Sequence, residues 1–402
     1  MKGKIETWGL ALLARIFNFF IPIQKKHWIF GSDLGRTYRD GPKYLLEYMV
    51  KEHPEITCTF ITQNKGLYKE LNAQGIPCKL NNSISGIITI CKAECEFFTH
   101  SVYDILYAYS KKGRHHYYLI HGQPYKKAVK SLSKEYRERV LIDSDSKLSQ
   151  FKELIGKWLL TGRTIFDTDF VSATSDFLVP YLRKDNGDEI DVKVLGMPRN
   201  DALFQNRRME KERWIKGIEG KFVVVYMPTH RGYGTGEPTP TPFINDLDVQ
   251  SWMRDNNVIL LMKNHPNMIP RIKDDNNTDV IIDITKLNID PQVCIYKSDV
   301  LITDYSSVWM DYLILQRPLI FYTYDNWEEN DAGVYYDIRK DPPGHFCSTE
   351  EDLFKLIKKA KFYYDEMRPT AHIVEKYHKF IDGKSCERYY SEISKSLYGK
   401  RL

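Results

Sequence analysis

The chain has 402 residues, 42% of them apolar and 28% charged, with a net charge of +5. That length exceeds the usual single core, so two domains are expected, and the composition excludes disordered and fibrous classes. Seven cysteines at irregular spacing exclude a disulfide framework and point to buried thiols in a reducing compartment. Cys91 and Cys95 stand four apart, as helix neighbours would, but no second Cys or His pair follows at zinc spacing, so no metal site is read there.

Trp8 to Ile23 is strongly apolar but is interrupted by Arg15 and followed by Lys25-Lys26. It is short for a bilayer span and lacks a cleavage signal. Two readings stay open: a helix in the membrane interface, or one packed on the core or on another subunit. Alternation of strand and helix then begins, the pattern of parallel α/β domains. Strands are expected at His27 to Gly31, Thr57 to Thr62, Cys95 to Thr99 and Tyr117 to Ile120, the last ending at His121-Gly122. Helices are expected from Tyr44 to Val50 and from Gly66 to Gln74.

From Lys126 to Phe166 the rhythm breaks into a helical insertion with ten Lys/Arg against five Asp/Glu up to Arg163. With Phe151, Leu154, Ile155 and Trp158 among its apolar residues, it fits an anionic membrane surface or a solvated helical cap. Strands resume at Phe170 to Ala173 and Val192 to Gly196. After Pro198-Arg199-Asn200-Asp201 the rhythm restarts, with strands at Phe222 to Tyr226, Val258 to Met262, Val280 to Asp283, Val300 to Thr303 and Leu319 to Tyr322. The tail from Thr349 is helical.

Open parallel sheets bind ligands beyond the carboxyl ends of their strands. Five strand ends here carry polar clusters: Gly31-Ser32, His121-Gly122, Pro228-Thr229-His230-Arg231, Lys263-Asn264-His265-Pro266 and Thr303-Asp304-Tyr305-Ser306-Ser307. Such a set suits a polyanionic ligand. Ser306 and Ser307 stand at the start of the run VWMDYLILQRP, where free backbone N–H groups favour phosphate; the alternative is that Asp304 or Ser306 only caps that helix. Asp311, on an otherwise apolar helix face, favours a site. The full Walker pattern Gly-x-x-x-x-Gly-Lys-Ser/Thr is absent, which argues against a P-loop nucleoside triphosphatase.

Eight segments occur in one order: GSDLGRTYRDGPKYLLEYM, LIHGQPYKK, LGMPRNDALF, YMPTHRG, KNHPN, SDVLITDYSSVWMDYLILQRPLIFY, PPGHF and DGKSCERYY. Together they resemble the CDP-glycerol glycerophosphotransferase family of teichoic acid primases and polymerases over nearly the whole length. The resemblance implies an α/β GT-B fold, two Rossmann-like domains with parallel sheets facing a central cleft, plus helical elements for membrane interaction. It divides the chain into an amphipathic helix at 1–26, an acceptor-side domain at 27–197 with the basic insertion at 126–166, a donor domain at 198–375, and a helix at 376–402 returning to the first domain.

By the same resemblance His121, His230 and His265 are the catalytic histidines. His121 would be the base for the acceptor hydroxyl, since a neutral imidazole suits that task at neutral pH. His230, Arg231 and His265 would stabilise the departing cytidine monophosphate. Thr303, Asp304, Ser306 and Ser307 would line the diphosphate, and Arg199 and Asn200 would reach either substrate. Asp283 and Asp290 would border the base. The implied reaction moves a polyol phosphate, glycerol phosphate foremost, from CDP-glycerol or CDP-ribitol to a lipid-linked or capsular acceptor at the cytoplasmic face of the membrane. It needs no metal or cofactor and no nucleic acid; the oligomeric state stays open. The alternatives are a sugar-nucleotide glycosyltransferase of the same fold and a non-catalytic membrane scaffold. Ile120 and Gln123 around the His-Gly pair, and His230 itself, depart from the family pattern, which bears on the acceptor more than on the reaction class.

Overall fold

The computed structural model describes residues 13–14, 16–100, 104–105, 113–127, 168–212, 214–229, 239–264, 277–287, 289–325 and 333–399. The chain divides into two compact units. One comprises Met1–Gln123, Val129–Asp201 and Asp382–Leu402, the other Pro124–Ala128 and Ala202–Ile381.

The first unit holds seven strands: β1 (His27–Phe30), β2 (Thr57–Thr62), β3 (Cys78–Leu80), β4 (Cys95–Phe98), β5 (His115–Tyr118), β6 (Phe170–Ala173) and β7 (Val192–Val194). Their order in the sheet is β3-β2-β1-β4-β5-β6-β7 and every pair is parallel. Helices Asp40–Glu52, Lys65–Ala73, Ile84–Lys92 and Val179–Asn186 make crossovers. Two of them start where a polar side chain takes the free N–H groups of the first turn. Asn64 accepts from Gly66 and Leu67, and Ser83 accepts from Gly86, the usual reason such residues open helices. Strand β4 is buried throughout and β1 nearly so, as expected of a sheet covered on both faces.

Aromatic rings bind the centre of this sheet. Phe30 stacks on Phe97 at 4.6 Å and Phe97 on Tyr117 at 5.0 Å. Helix Ser385–Tyr398 packs Cys386, Tyr389, Tyr390 and Ile393 into the same core. Its N-terminus is held by Asp201, which accepts from the backbone N–H of Ser385 at 2.8 Å and of Cys386 at 2.7 Å.

The second unit holds β8 (Phe222–Tyr226), β9 (Val258–Met262), β10 (Ile281–Asp283), β11 (Val300–Thr303), β12 (Leu319–Tyr322) and β13 (His345–Cys347), in the order β10-β9-β8-β11-β12-β13, again all parallel. In each sheet the strand order reverses beside the unit's first strand. β1 lies between β2 and β4, and β8 between β9 and β11. These are the switch points at which α/β sheets open a crevice.

Several sequence expectations change. The strand read at Tyr117 to Ile120 runs instead from His115 to Tyr118. Its two leading histidines look like loop, but Asp169 accepts from the backbone N–H of His116 at 2.7 Å and pairs with the His115 ring at 2.8 Å. Strands β3 and β13 and helix Ile84–Lys92 were not anticipated. That helix contains Cys91 while Cys95 opens β4, so the two are not helix neighbours. All seven cysteines are buried free thiols, and burial pushes Cys78 and Cys347 up to about 12. Beyond Lys127 the basic insertion, to Phe166, lies outside the described residues.

Residues 13–14 and 16–20 are helical. Leu13, Ala14, Phe17 and Ile21 pack against Ile29, Ile61, Ile87 and Ile90, whereas Phe19 and Phe20 are 83% and 74% exposed. One face is therefore core and the other bears bare aromatics. Among the described residues no helix is long and apolar enough to cross a membrane.

Candidate active site

The carboxyl ends of β8 and β11 meet at the second sheet's switch point. Thr303 Oγ1 donates to the Met227 carbonyl at 2.7 Å. Asp304, 1% exposed, accepts from the backbone N–H of Thr229 at 2.8 Å and from that of Tyr305 at 2.6 Å. Asp304 thus joins the two strand ends rather than capping the next helix. That helix, Val308–Leu313, begins at Ser307, whose side chain makes no capping bond. Ser306 and Ser307 are half-buried. The helix is shorter than the apolar run suggested, because Gln316 turns the backbone to φ 51°. Asp311 is buried and accepts from Gln292 Nε2 at 3.3 Å, which makes it an interior partner and not a group at the strand ends.

His230, Arg231 and His265 lie outside the described residues, which end at Thr229 and Asn264 on the strands leading to them. Asn264 is 6% exposed; its backbone N–H donates to Thr285 Oγ1 at 2.9 Å and its Oδ1 has no partner among the described residues. Asp283 accepts from Thr285 N–H at 2.8 Å, and Asp290 caps helix Pro291–Tyr296 through Gln292 N–H at 3.0 Å. Both carboxylates therefore have local backbone partners.

In the first unit His121 is exposed on the turn after β5. Its carbonyl accepts from Arg199 Nη1 at 2.6 Å, and the same nitrogen pairs with Asp40 Oδ1 at 2.7 Å. Arg199 is 8% exposed and Asn200 3%. The structure places both in the same unit as His121 rather than with the Thr303–Ser307 turn, and the guanidinium supports the histidine turn.

Sequence reasoning stopped at Thr99 and missed the next residue. The His100 and His121 rings stack with centroids 4.8 Å apart and planes 8° apart. Beneath them Asp104, fully buried, accepts from the backbone N–H of Leu34, Thr99 and His100 at 2.8, 2.8 and 2.9 Å. This binds the loop after β1 to the end of β4. The approach is close enough that a Cβ on Gly31 would sit 2.5 Å from the Asp104 carbonyl oxygen, so only glycine fits there. Asp33, Leu34 and Gly35 follow with φ of 48°, 55° and 70°, a left-handed run costly for Leu34 and held by the Asp104 bond. Asp40 lies within the GSDLGRTYRDGPKYLLEYM segment, and His100 directly follows the strand expected at Cys95 to Thr99, so both have a signal in the sequence. Among the described residues no group of three or more His, Cys, Asp or Glu is placed to hold a metal ion.

The model of the CDP-glycerol:poly(glycerophosphate) glycerophosphotransferase family matches residues 13–395. The chain belongs to this family. It is 26% identical over 392 residues to the teichoic acid poly(glycerol phosphate) polymerase of Bacillus spizizenii, covering 92% of this chain and 94% of that one. It is 26% identical over 383 residues to the teichoic acid glycerol-phosphate transferase of Staphylococcus aureus, with 91% and 92% covered. Among solved structures, the wall teichoic acid polymerase TagF matches with a TM-score of 0.73 at 21% identity, over 98% of this chain and 93% of that one. This glycerophosphotransferase-family chain is thus an enzyme of the α/β GT-B class, with the two parallel-sheet units expected. Its family reaction is transfer of a polyol phosphate from a CDP-activated donor.

Proposed function

We propose that the enzyme transfers glycerol phosphate from CDP-glycerol, with CDP-ribitol as the alternative donor, to a hydroxyl of a lipid-linked or polymeric polyol-phosphate acceptor, releasing CMP. The observation that carries this reading is the β8/β11 switch point. There the two strand ends are joined through Asp304 and Thr303, and Ser307 is left without a capping task at a helix start. Donor groups held in advance where charge builds up stabilise the transition state without reorganisation.

In this reading the acceptor oxygen attacks the phosphorus that bears glycerol, and the bond from that phosphorus to the oxygen of CMP breaks. His121 takes the acceptor proton. His230, Arg231 and His265 offset the charge growing on CMP, and Ser306 and Ser307 donate to the phosphoryl oxygens. Thr303 supports the turn from the interior, since it is fully buried and its hydroxyl is engaged with Met227. The CDP-polyol is a substrate, and no cofactor takes part in the scheme.

A panel of CDP-glycerol, CDP-ribitol and sugar nucleotides, offered with a lipid-linked acceptor, tests the donor: CMP release is expected from a CDP-polyol. Turnover of a sugar nucleotide alone would return the chain to the glycosyltransferase reading. His121→Ala is expected to lower turnover by a factor on the order of 10²–10⁴, the usual contribution of a general base, while CDP-glycerol still binds.

The same proposal places the enzyme on the cytoplasmic face of the membrane. Exposed Phe19 and Phe20, with exposed Lys25 and Lys26 just beyond, combine apolar and cationic groups as interfacial helices do. Flotation with anionic vesicles at low salt should carry the protein upward. Phe19→Ser with Phe20→Ser should leave most of it at the bottom; equal flotation of both would exclude this helix as the anchor.

A further inference from the structure

Arg199 fixes the backbone of the His121 turn, but the imidazole itself has a separate support. The ring of His100 lies parallel to it at 4.8 Å. His100 Nδ1 is 2.8 Å from Thr99 Oγ1, which is 3.1 Å from Asp104 Oδ2. A carboxylate only accepts, so the Thr99 hydroxyl donates to Asp104 and receives the Nδ1–H of His100. Because Asp104 is fully buried and bonded to three backbone N–H groups, the plane and tautomer of His100 are set from the interior.

We propose that His100 is a positioning residue for phosphotransfer: its ring face, anchored through Thr99 to Asp104, holds the His121 imidazole in one orientation for taking the acceptor proton. This rests on the reading of His121 as the base. A face-to-face ring contact narrows the rotamers open to the imidazole, and only the one facing the hydroxyl is productive. The contribution therefore belongs in kcat. Affinity for the CDP-polyol should not depend on it, since the donor ligands are other residues.

The test uses the full chain with CDP-glycerol and a lipid-linked glycerol-phosphate acceptor. His100→Ala is expected to lower kcat by roughly 10- to 100-fold, the scale of a small misplacement, with the donor KM within about twofold. His100→Phe keeps an aromatic face and should recover most of the loss. His100→Asn can still bond Thr99 but has no ring, and should stay low. If thermal melting shows that His100→Ala does not fold, the Phe and Asn variants carry the comparison.

Wild-type turnover in His100→Ala, a loss confined to KM, or a Phe variant no better than the Asn variant would each overturn the proposal. Unchanged turnover in His121→Ala would instead remove the base assignment, and that result is read independently of any His100 variant.

Discussion

At the residue scale, the polar groups nearest the strand ends divide into those that build the site and those left to meet a substrate. Asp304, Asp283 and Asp290 all accept backbone N–H bonds, so substituting them tests architecture before chemistry. Arg199 is of the same kind. Its partner Asp40 is mostly buried, with a side chain 13% exposed, and removing one member of such a pair leaves the other charge stranded. Arg199→Ala is expected to destabilise the protein by about 3 kcal/mol and to lower kcat by releasing the His121 carbonyl. Chemical unfolding and steady-state kinetics check the two effects separately. In the proposed mechanism Ser306 and Ser307 belong to the second kind. Alanine at both should raise the KM for CDP-glycerol by roughly tenfold, the size of one lost charge-assisted hydrogen bond, with little change in melting temperature.

At the scale of elements, the strands were largely legible in sequence because both faces of a parallel sheet are covered and each strand is a continuous apolar run. FVVVY, VILLM and VLIT show this directly. The failures are equally physical. HHYY hides a strand because its first two residues are polar and depend on Asp169 from a distant part of the chain. Helix Ile84–Lys92 was hidden by its own Gly86 and by four isoleucines that fit a strand as readily.

Asp201 is the clearest case of a cap supplied from far away in sequence. It occupies PRND, yet it takes the first N–H groups of a helix that begins at Ser385. Asp201→Ala leaves those buried donors unpaired and is expected to cost about 2–4 kcal/mol, with Asp201→Asn losing less. A thermal melt of both variants decides this; equal melting temperatures would mean that water replaces the carboxylate.

At the scale of the whole molecule, stability should depend on pH through buried histidines. His378 is buried and its Nε2–H donates to the Met310 carbonyl at 2.6 Å. Burial lowers its pKa despite that carbonyl and the nearby Asp311, and burial lowers His27 and His345 in the same direction. These groups take up a proton less readily in the native state than when unfolded. Stability is accordingly unaffected above the ordinary histidine value and is lost as pH falls through and below it.

Glu96 acts lower on the scale. Burial works to raise it, but Arg114 at 2.6 Å and His116 outweigh burial and hold it down to about 2. Its contribution is present above the ordinary glutamate value and is lost between there and about 2. The melting temperature should decline from neutrality toward pH 5, and His378→Gln should flatten that slope. A profile equally steep in the variant would exclude His378 as its source.

By itself the sequence determined the class of the protein. Apolar period, strand-end polarity and eight ordered segments specify two parallel α/β units and the family, since these depend on neighbours along the chain. The tertiary structure decided what each polar group does. It gave Asp304 to Thr229, Arg199 to the carbonyl of His121, and Asp104 to the loop after β1 and the end of β4. It also laid His100 against His121. Partnerships of this kind arise where strands far apart in sequence end side by side, and no local pattern of residues encodes which ends will meet.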